Sequence, residues 1–176
     1  MDASVALRQA AWPRQYDLEI RSAAELYLPQ WHWLWLKAQL VAESSLDANA
    51  VSNSGAQGIA GFMPATWDDV RSALRFPGGA SPFEPRYAIR GAAWYLRLLR
   101  QQWRSPRPEE DRRRLVQAAY EAGLGNVVKA QRRAGDAVTY AAVIACLDGI
   151  TGADGARETR DYVARIERIQ QQLVGV

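Results

Sequence analysis

The stretch WHWLWLKAQLVAESSLDANAVSNSGAQGIAGFMP, residues 31–64, decides how the rest of the chain is read. From 31 to 44 the apolar residues are too dense for a surface helix, which predicts a central, nearly buried one. The character changes from 49 to 62, where Gly55, Gly58 and Gly61 recur at three-residue spacing among Asn and Ser. Glycines so placed forbid a stable helix, and a loop with a short β-hairpin is expected. Helical pattern resumes from Pro64 to Leu74. The chain thus passes from a buried helix, through Glu43 on its last turn, into a glycine-rich loop.

Outward from this stretch the sequence is mostly helical, because apolar residues recur at steps of three and four. Ile20, Ala23, Ala24 and Tyr27 form one stripe over 16–28, which Pro29 ends. The Gly/Pro-rich FPGGASPFEP (76–85) reads as a connection. Ile89, Ala92, Leu96, Leu99 and Trp103 then make an amphipathic helix over 86–104. Pro106 and Pro108 punctuate it, and RPEEDRRRLVQAAYEAG supplies a helix ending at Gly123, a residue suited to a C-terminal cap. Shorter helices are expected over 126–133 and 136–147. The loop DGITGADGA leads to a last helix with Tyr162, Ile166, Ile169 and Leu173 on one face. With no repeat, low-complexity tract or long linker, the expectation is one mainly α domain over 1–176, a helical bundle around a central helix.

Composition narrows the chemistry. With 176 residues, 48% hydrophobic and 23% charged, the chain is long enough for a sizeable core and has the balance of a globular protein. A single cysteine, Cys146, excludes an internal disulfide framework, and a single histidine, His32, excludes metal sites built from several His or Cys ligands. His32 lies among Trp31, Trp33 and Trp35, where a packed aromatic helix face is the expectation. The net charge of +3 is carried mainly by arginine, since Lys37 and Lys129 are the only lysines. Such a surface favours anionic partners. Arg112-Arg113-Arg114 follows Glu109-Glu110-Asp111, the order of a helix start with a solvated charged face, and no recognition helix for nucleic acid stands out. No stretch approaches the roughly 20 apolar residues of a membrane span. The first residues show no basic region followed by an apolar one, so no secretory signal is expected.

Among the carboxyl groups, Glu43 stands apart. It follows Val41 and Ala42 on the densest apolar helix, with Lys37 the only positive charge nearby in sequence. A carboxyl held against apolar side chains resists ionisation, so its pKa should rise toward the working pH, which suits a general acid. A solvated glutamate at a helix end is the alternative that spacing leaves open.

The run ESSLDANAVSNSGAQGIAGFMPATW, Glu43 to Trp67, resembles the signature of the soluble lytic transglycosylases and goose-type lysozymes. In that family a Glu-Ser pair leads to an A-V-S-x-x-G-A-x-G loop and an M-P-x-T segment. Here these are Glu43-Ser44, Ala50 to Gly58, and Met63 to Thr66. Downstream, AAYEAGLGNV (Ala118 to Val127) is similar to the family's A-Y-N-A-G-x-G-x-V segment and ETRDYVARI (Glu158 to Ile166) to its E-T-x-x-Y-V-x-x-I segment. IRGAAWYLRLL (Ile89 to Leu99) looks like its helix carrying G-x-x-Y-L. The resemblance spans about 21–169 and implies an α+β lysozyme-like fold with the hairpin beside an active-site cleft.

Residue by residue, the resemblance makes Glu43 the catalytic acid and base. It places Ser52, Gln57, Met63, Tyr120, Glu121 and Tyr162 on the substrate side. Ser52 would line the cleft, Met63 pack against sugar, Tyr120 face substrate and Tyr162 hydrogen-bond the catalytic carboxyl. Met63 and Tyr162 also suit plain core positions, and Ser44 suits support of the helix end. Two departures stand out. Gly61 replaces the glutamine of G-L-M-Q-x-M-P, removing that side chain, and Glu121 replaces the asparagine beside Tyr120, adding a carboxyl that would perturb Glu43 if the two were close.

The resemblance implies cleavage of the β-1,4 bond between MurNAc and GlcNAc in peptidoglycan. Glu43 would protonate the glycosidic oxygen, the N-acetyl group would stabilise C1, and the C6 hydroxyl would close a 1,6-anhydro ring, with no cofactor and no metal. A hydrolytic goose-type lysozyme, using water and a second acid, is a close rival, and a non-catalytic glycan-binding or structural domain a more distant one. The expected partner is the glycan strand rather than nucleic acid or a membrane, for a monomer. The missing leader suggests a bacteriophage lysin or virion-associated enzyme, in contact with other virion proteins and acting on the periplasmic cell wall.

Overall fold

The computed structural model describes residues 12–175. Among them the helices are α1 (Asp17–Tyr27), α2 (Leu34–Ser44), α3 (Pro64–Ala73), α4 (Pro85–Arg100), α5 (Glu109–Ala122), α6 (Leu124–Arg133), α7 (Tyr140–Ile144) and α8 (Asp148–Val174). The chain divides into two compact units, one formed by the residues up to Tyr95 together with those from Ile166 onward, the other by Leu96–Arg165. None of the helices among the described residues is long and apolar enough to cross a membrane.

In the first unit α1 packs on α2. The stripe of Ile20, Ala23 and Ala24 is buried, and on α2 every residue from Leu36 to Ala42 is buried, so this helix is as enclosed as its composition requires. Each such leucine contributes about 1.5–3 kcal/mol by leaving water. Lys37 lies within this buried run at 3% exposure, and its Nζ reaches the Asp17 carboxylate at 2.5 Å, which ties α2 to α1. A buried ammonium without such a partner would be costly.

The helix starts at Leu34, later than the apolar run suggests. Trp31, His32 and Trp33 form a turn in which the Trp35 N–H reaches the His32 carbonyl at 2.9 Å. Trp31 is buried, but His32 is exposed, so the packed aromatic face does not extend to the histidine. Its Nδ1 instead accepts the Leu34 N–H at 3.4 Å, and the Arg21 guanidinium sits 4.8 Å from the Trp33 ring centroid.

Met63 is extended and Pro64 occupies the first turn of α3, where its missing N–H costs nothing. An aromatic cluster fills the space beyond. Phe62 stacks obliquely with Trp67 at 5.6 Å, Trp67 meets Phe76 at 6.1 Å, and Phe76 meets Tyr87 at 5.0 Å. Gly91 on α4 allows the close approach, since a Cβ there would lie 2.8 Å from Val70 Cγ1 and 3.4 Å from the Phe62 ring.

The expected β-hairpin is replaced by less. Among the described residues the loop shows only two isolated antiparallel bridges, Val51 with Gln57 and Gln57 with Phe62. Gly55, Gly58 and Gly61 all take positive φ. The chain therefore reverses twice within a dozen or so residues, too tightly for paired runs to lengthen into strands.

In the second unit α5, α6 and α7 pack on one another. Leu115, Val116, Ala118 and Ala119 form the buried face of α5, and Gly123, at φ 84°, ends it. The Arg112–Arg114 run is not a solvated face. Arg112 pairs with Glu109 at 2.7 Å and Arg114 with Glu110 at 2.6 Å, while Arg113 is buried at 6% exposure. Arg100 adds a two-pronged contact to Glu109 at 2.8 and 2.9 Å. Asp111 accepts the Tyr140 N–H at 2.8 Å, fixing the start of α7. The expected loop at 148–156 is helical instead, broken only at Gly152 (φ 80°, ψ 165°) inside α8.

Candidate active site

Glu43 occupies the last turn of α2 and is half-buried. The chain leaves the helix through Ser45 and Leu46, both left-handed at φ 58° and 66°. Non-glycine residues take that conformation reluctantly. Leu46 is held there by burial at 3% exposure, and the Ser45 N–H is held by the Val41 carbonyl at 2.8 Å. The Ser44 hydroxyl donates to the Ile59 carbonyl at 2.9 Å. The helix end that carries Glu43 is thereby tied to the returning limb of the loop, the supporting role expected for Ser44.

The loop itself is built from main-chain bonds. The Gly58 N–H reaches the Ala50 carbonyl at 2.9 Å, Gln57 and Phe62 exchange both N–H groups at 2.9 and 3.0 Å, and the Gly61 N–H closes a turn onto the Gly58 carbonyl at 3.1 Å. Ser52 is exposed, and its hydroxyl accepts the Ala56 N–H at 2.9 Å and pairs with Ser54 at 2.9 Å. That hydroxyl shapes the turn, whatever else it meets. Gln57 is half-buried at the bridge position. Met63 is exposed at 44%, so it is not a core residue but an apolar side chain presented to solvent beside this turn.

Two glycines hold the loop in place. A Cβ on Gly58 would overlap the Pro82 carbonyl, so this residue lets the loop lie directly against the 80–83 segment. A Cβ on Gly61 would overlap Oε2 of Glu43 and stand 3.3 Å from its Cδ. The sequence marks Gly61 only as a breaker and as a missing glutamine. Its approach to the Glu43 carboxyl is the site feature that reading missed, and the three-residue glycine spacing was the signal available for it.

Glu43, Ser52, Gln57 and Met63 belong to the first unit; Tyr120, Glu121 and Tyr162 belong to the second. Tyr120 is half-buried near the end of α5, and Tyr162 is buried on α8 at 8% exposure. Glu121 is exposed over part of its surface. Burial first, and the neighbouring Glu158 charge second, nevertheless push its carboxyl above the ordinary glutamate range, against a smaller opposing effect of Arg165. The Asn126 amide donates to the Ala122 carbonyl at 2.8 Å and closes the end of the helix on which both residues ride.

Comparison with known proteins identifies the family of the chain. Residues 29–143 match the Transglycosylase SLT domain, a segment that contains Glu43, the glycine loop, Tyr120 and Glu121. The membrane-bound lytic murein transglycosylase F of Serratia proteamaculans (strain 568) is 28% identical over 169 residues, covering 88% of this chain and 33% of that protein. An inactive mutant of the lytic transglycosylase Slt from Pseudomonas aeruginosa superposes with a TM-score of 0.71 at 23% identity, over 90% of this chain and 24% of that one. The 70 kDa soluble lytic transglycosylase of Escherichia coli gives 0.69 at 22% identity, over 92% and 24%. The fold is therefore the mostly helical, lysozyme-like one of these enzymes. The chain spans about a third of the length of its curated relative and about a quarter of the solved chains. With the family match covering most of its residues, this chain belongs to the Transglycosylase SLT domain family.

Proposed function

We propose that the chain is a peptidoglycan lytic transglycosylase that cleaves the β-1,4 bond between MurNAc and GlcNAc. The observation that carries the reading is Glu43, half-buried on the last turn of an enclosed helix, its carboxyl against the Gly61 turn inside the matched family segment. A protonated Glu43 donates to the glycosidic oxygen as the bond to C1 breaks, and the N-acetyl carbonyl oxygen of MurNAc bonds to C1. The carboxylate then removes the C6 hydroxyl proton, O6 attacks C1, and the N-acetyl oxygen leaves. The product is a 1,6-anhydro ring, Glu43 is protonated again, and no water is consumed. A single carboxyl serves as acid and then base, the substrate-assisted exception to the two-carboxylate scheme.

The other assignments are proposals of the same kind. Met63, exposed beside the turn, offers an apolar surface to a sugar ring. Ser52 and Gln57 offer polar groups from the loop, and the family resemblance is what supports a substrate-side role for Tyr120, Glu121 and Tyr162. The +3 net charge favours an anionic polymer such as the cell wall.

Mass spectrometry of fragments released from purified sacculi tests the reading. Anhydro ends are the expected product, and reducing ends would replace the transglycosylase by a hydrolase. Glu43→Gln removes the proton donor and should reduce release by about 1,000-fold or more, the order seen when an essential catalytic group is lost. A variant with full lytic activity ends the proposal.

A further inference from the structure

We infer that Gly61 is a positioning residue that seats the Glu43 carboxyl; this rests on the role of Glu43 proposed above. The carboxyl occupies the volume in which any side chain at position 61 would begin, for a Cβ there would overlap Oε2 and stand 3.3 Å from Cδ and 3.6 Å from Cβ of Glu43. The loop has little freedom to retreat. Gly61 closes a turn onto Gly58 at 3.1 Å, Gln57 and Phe62 are bonded to each other in both directions, and the Ile59 carbonyl is held by Ser44. Ile59, Ala60 and Phe62 are buried as well, at 0%, 0% and 2% exposure. Of the two groups in contact, the far end of the glutamate side chain is the one that can move.

A methyl group at position 61 therefore displaces the reacting carboxyl rather than the backbone. The residue that departs from the family pattern is, in this chain, what permits the present seat of the carboxyl. On this backbone a glutamine at position 61 would require the volume Oε2 now fills.

Gly61→Ala is compared with Gly135→Ala. Gly135 has nearly the same φ (67° against 60°) but nothing within 4 Å of its Cβ position, so it reports the strain of a side chain at positive φ without the contact. With soluble glycan strands as substrate, both variants should lose comparable Tm. Gly135→Ala should keep kcat within about twofold. Gly61→Ala should lower kcat by about 10- to 100-fold with KM within about threefold, and shift the limb of the pH–rate profile that follows Glu43, because a displacement of about 1 Å costs on the order of 100-fold. Unchanged kcat and pH profile in Gly61→Ala overturn the inference.

If Gly61→Ala does not fold, the same change in a Glu43→Ala background decides. Recovery of a folded protein supports the contact, and failure there too overturns it. Glu43→Gln separates the two proposals: full lysis by that variant removes the proposed function and this inference with it. Loss of lysis in Glu43→Gln, with Gly61→Ala behaving like Gly135→Ala, removes only the role of Gly61.

Discussion

The loop after α2 and the start of α5 hold their side chains by opposite means. From Ser44 to Met63 the chain is held by main-chain hydrogen bonds and by glycines that let backbone lie against Pro82 and against Glu43. At the start of α5 the work is done by charge, with Arg100 and Arg112 on Glu109 and Arg114 on Glu110. At Gly58 the first arrangement tolerates no added atom, because the Pro82 backbone cannot step aside. The second tolerates loss of a partner, because part-exposed ion pairs are individually weak and screened by salt.

The largest contrast should come from Gly58→Ala. A methyl group forced onto the Pro82 carbonyl at φ 72° should cost about 2–4 kcal/mol, independent of salt, and lower lytic activity with it. Chemical denaturation at low and high ionic strength measures this; a loss below about 1 kcal/mol would mean the loop is softer than its contacts imply. Arg100→Ala removes the two-pronged contact to Glu109 and should cost about 1 kcal/mol, shrinking toward zero in high salt. A salt-independent loss there would break the distinction between the two regions.

Glu121→Gln tests charge at the other end of α5. Its carboxyl is raised by burial and by Glu158, so ionisation opposes folding. The native contribution is complete below the ordinary carboxylate range and is lost as pH rises through the raised value. The variant should therefore have a slightly higher Tm than the parent at neutral pH, with the difference vanishing below about pH 4. A Tm difference that grows on acidification has the wrong sign. The smallest effect is expected from Gln117→Leu. Gln117 is fully buried, and its side-chain amide has no hydrogen-bond partner among the described residues. Replacing it with an apolar group of similar size should be neutral or stabilising by thermal melts, because no partner is stranded.

Local signals made much of this legible in advance. The stripe of Ile20, Ala23 and Ala24, the proline opening α3 and the glycine closing α5 are each effects within a few residues, and the helices fall close to where those residues place them. The family signature from Glu43 to Trp67 likewise rests on consecutive residues. Failures occurred where distant partners decide. Trp31 is buried ahead of α2, which begins only at Leu34, Arg113 left the expected solvated face for the interior, and the 148–156 loop is helix around a single break at Gly152.

By itself the sequence determined the helical class, the order of elements, the absence of a disulfide framework and the one carboxyl on an enclosed helix, since periodicity and residue counts need no tertiary partner. Tertiary structure decided that the glycine loop forms isolated bridges rather than a hairpin, and that Gly61 lies against Glu43. Such an approach depends on the sum of every turn between the two residues. Positive φ at a glycine permits many such paths, and only packing against Ser44, Phe62 and Pro82 selects one.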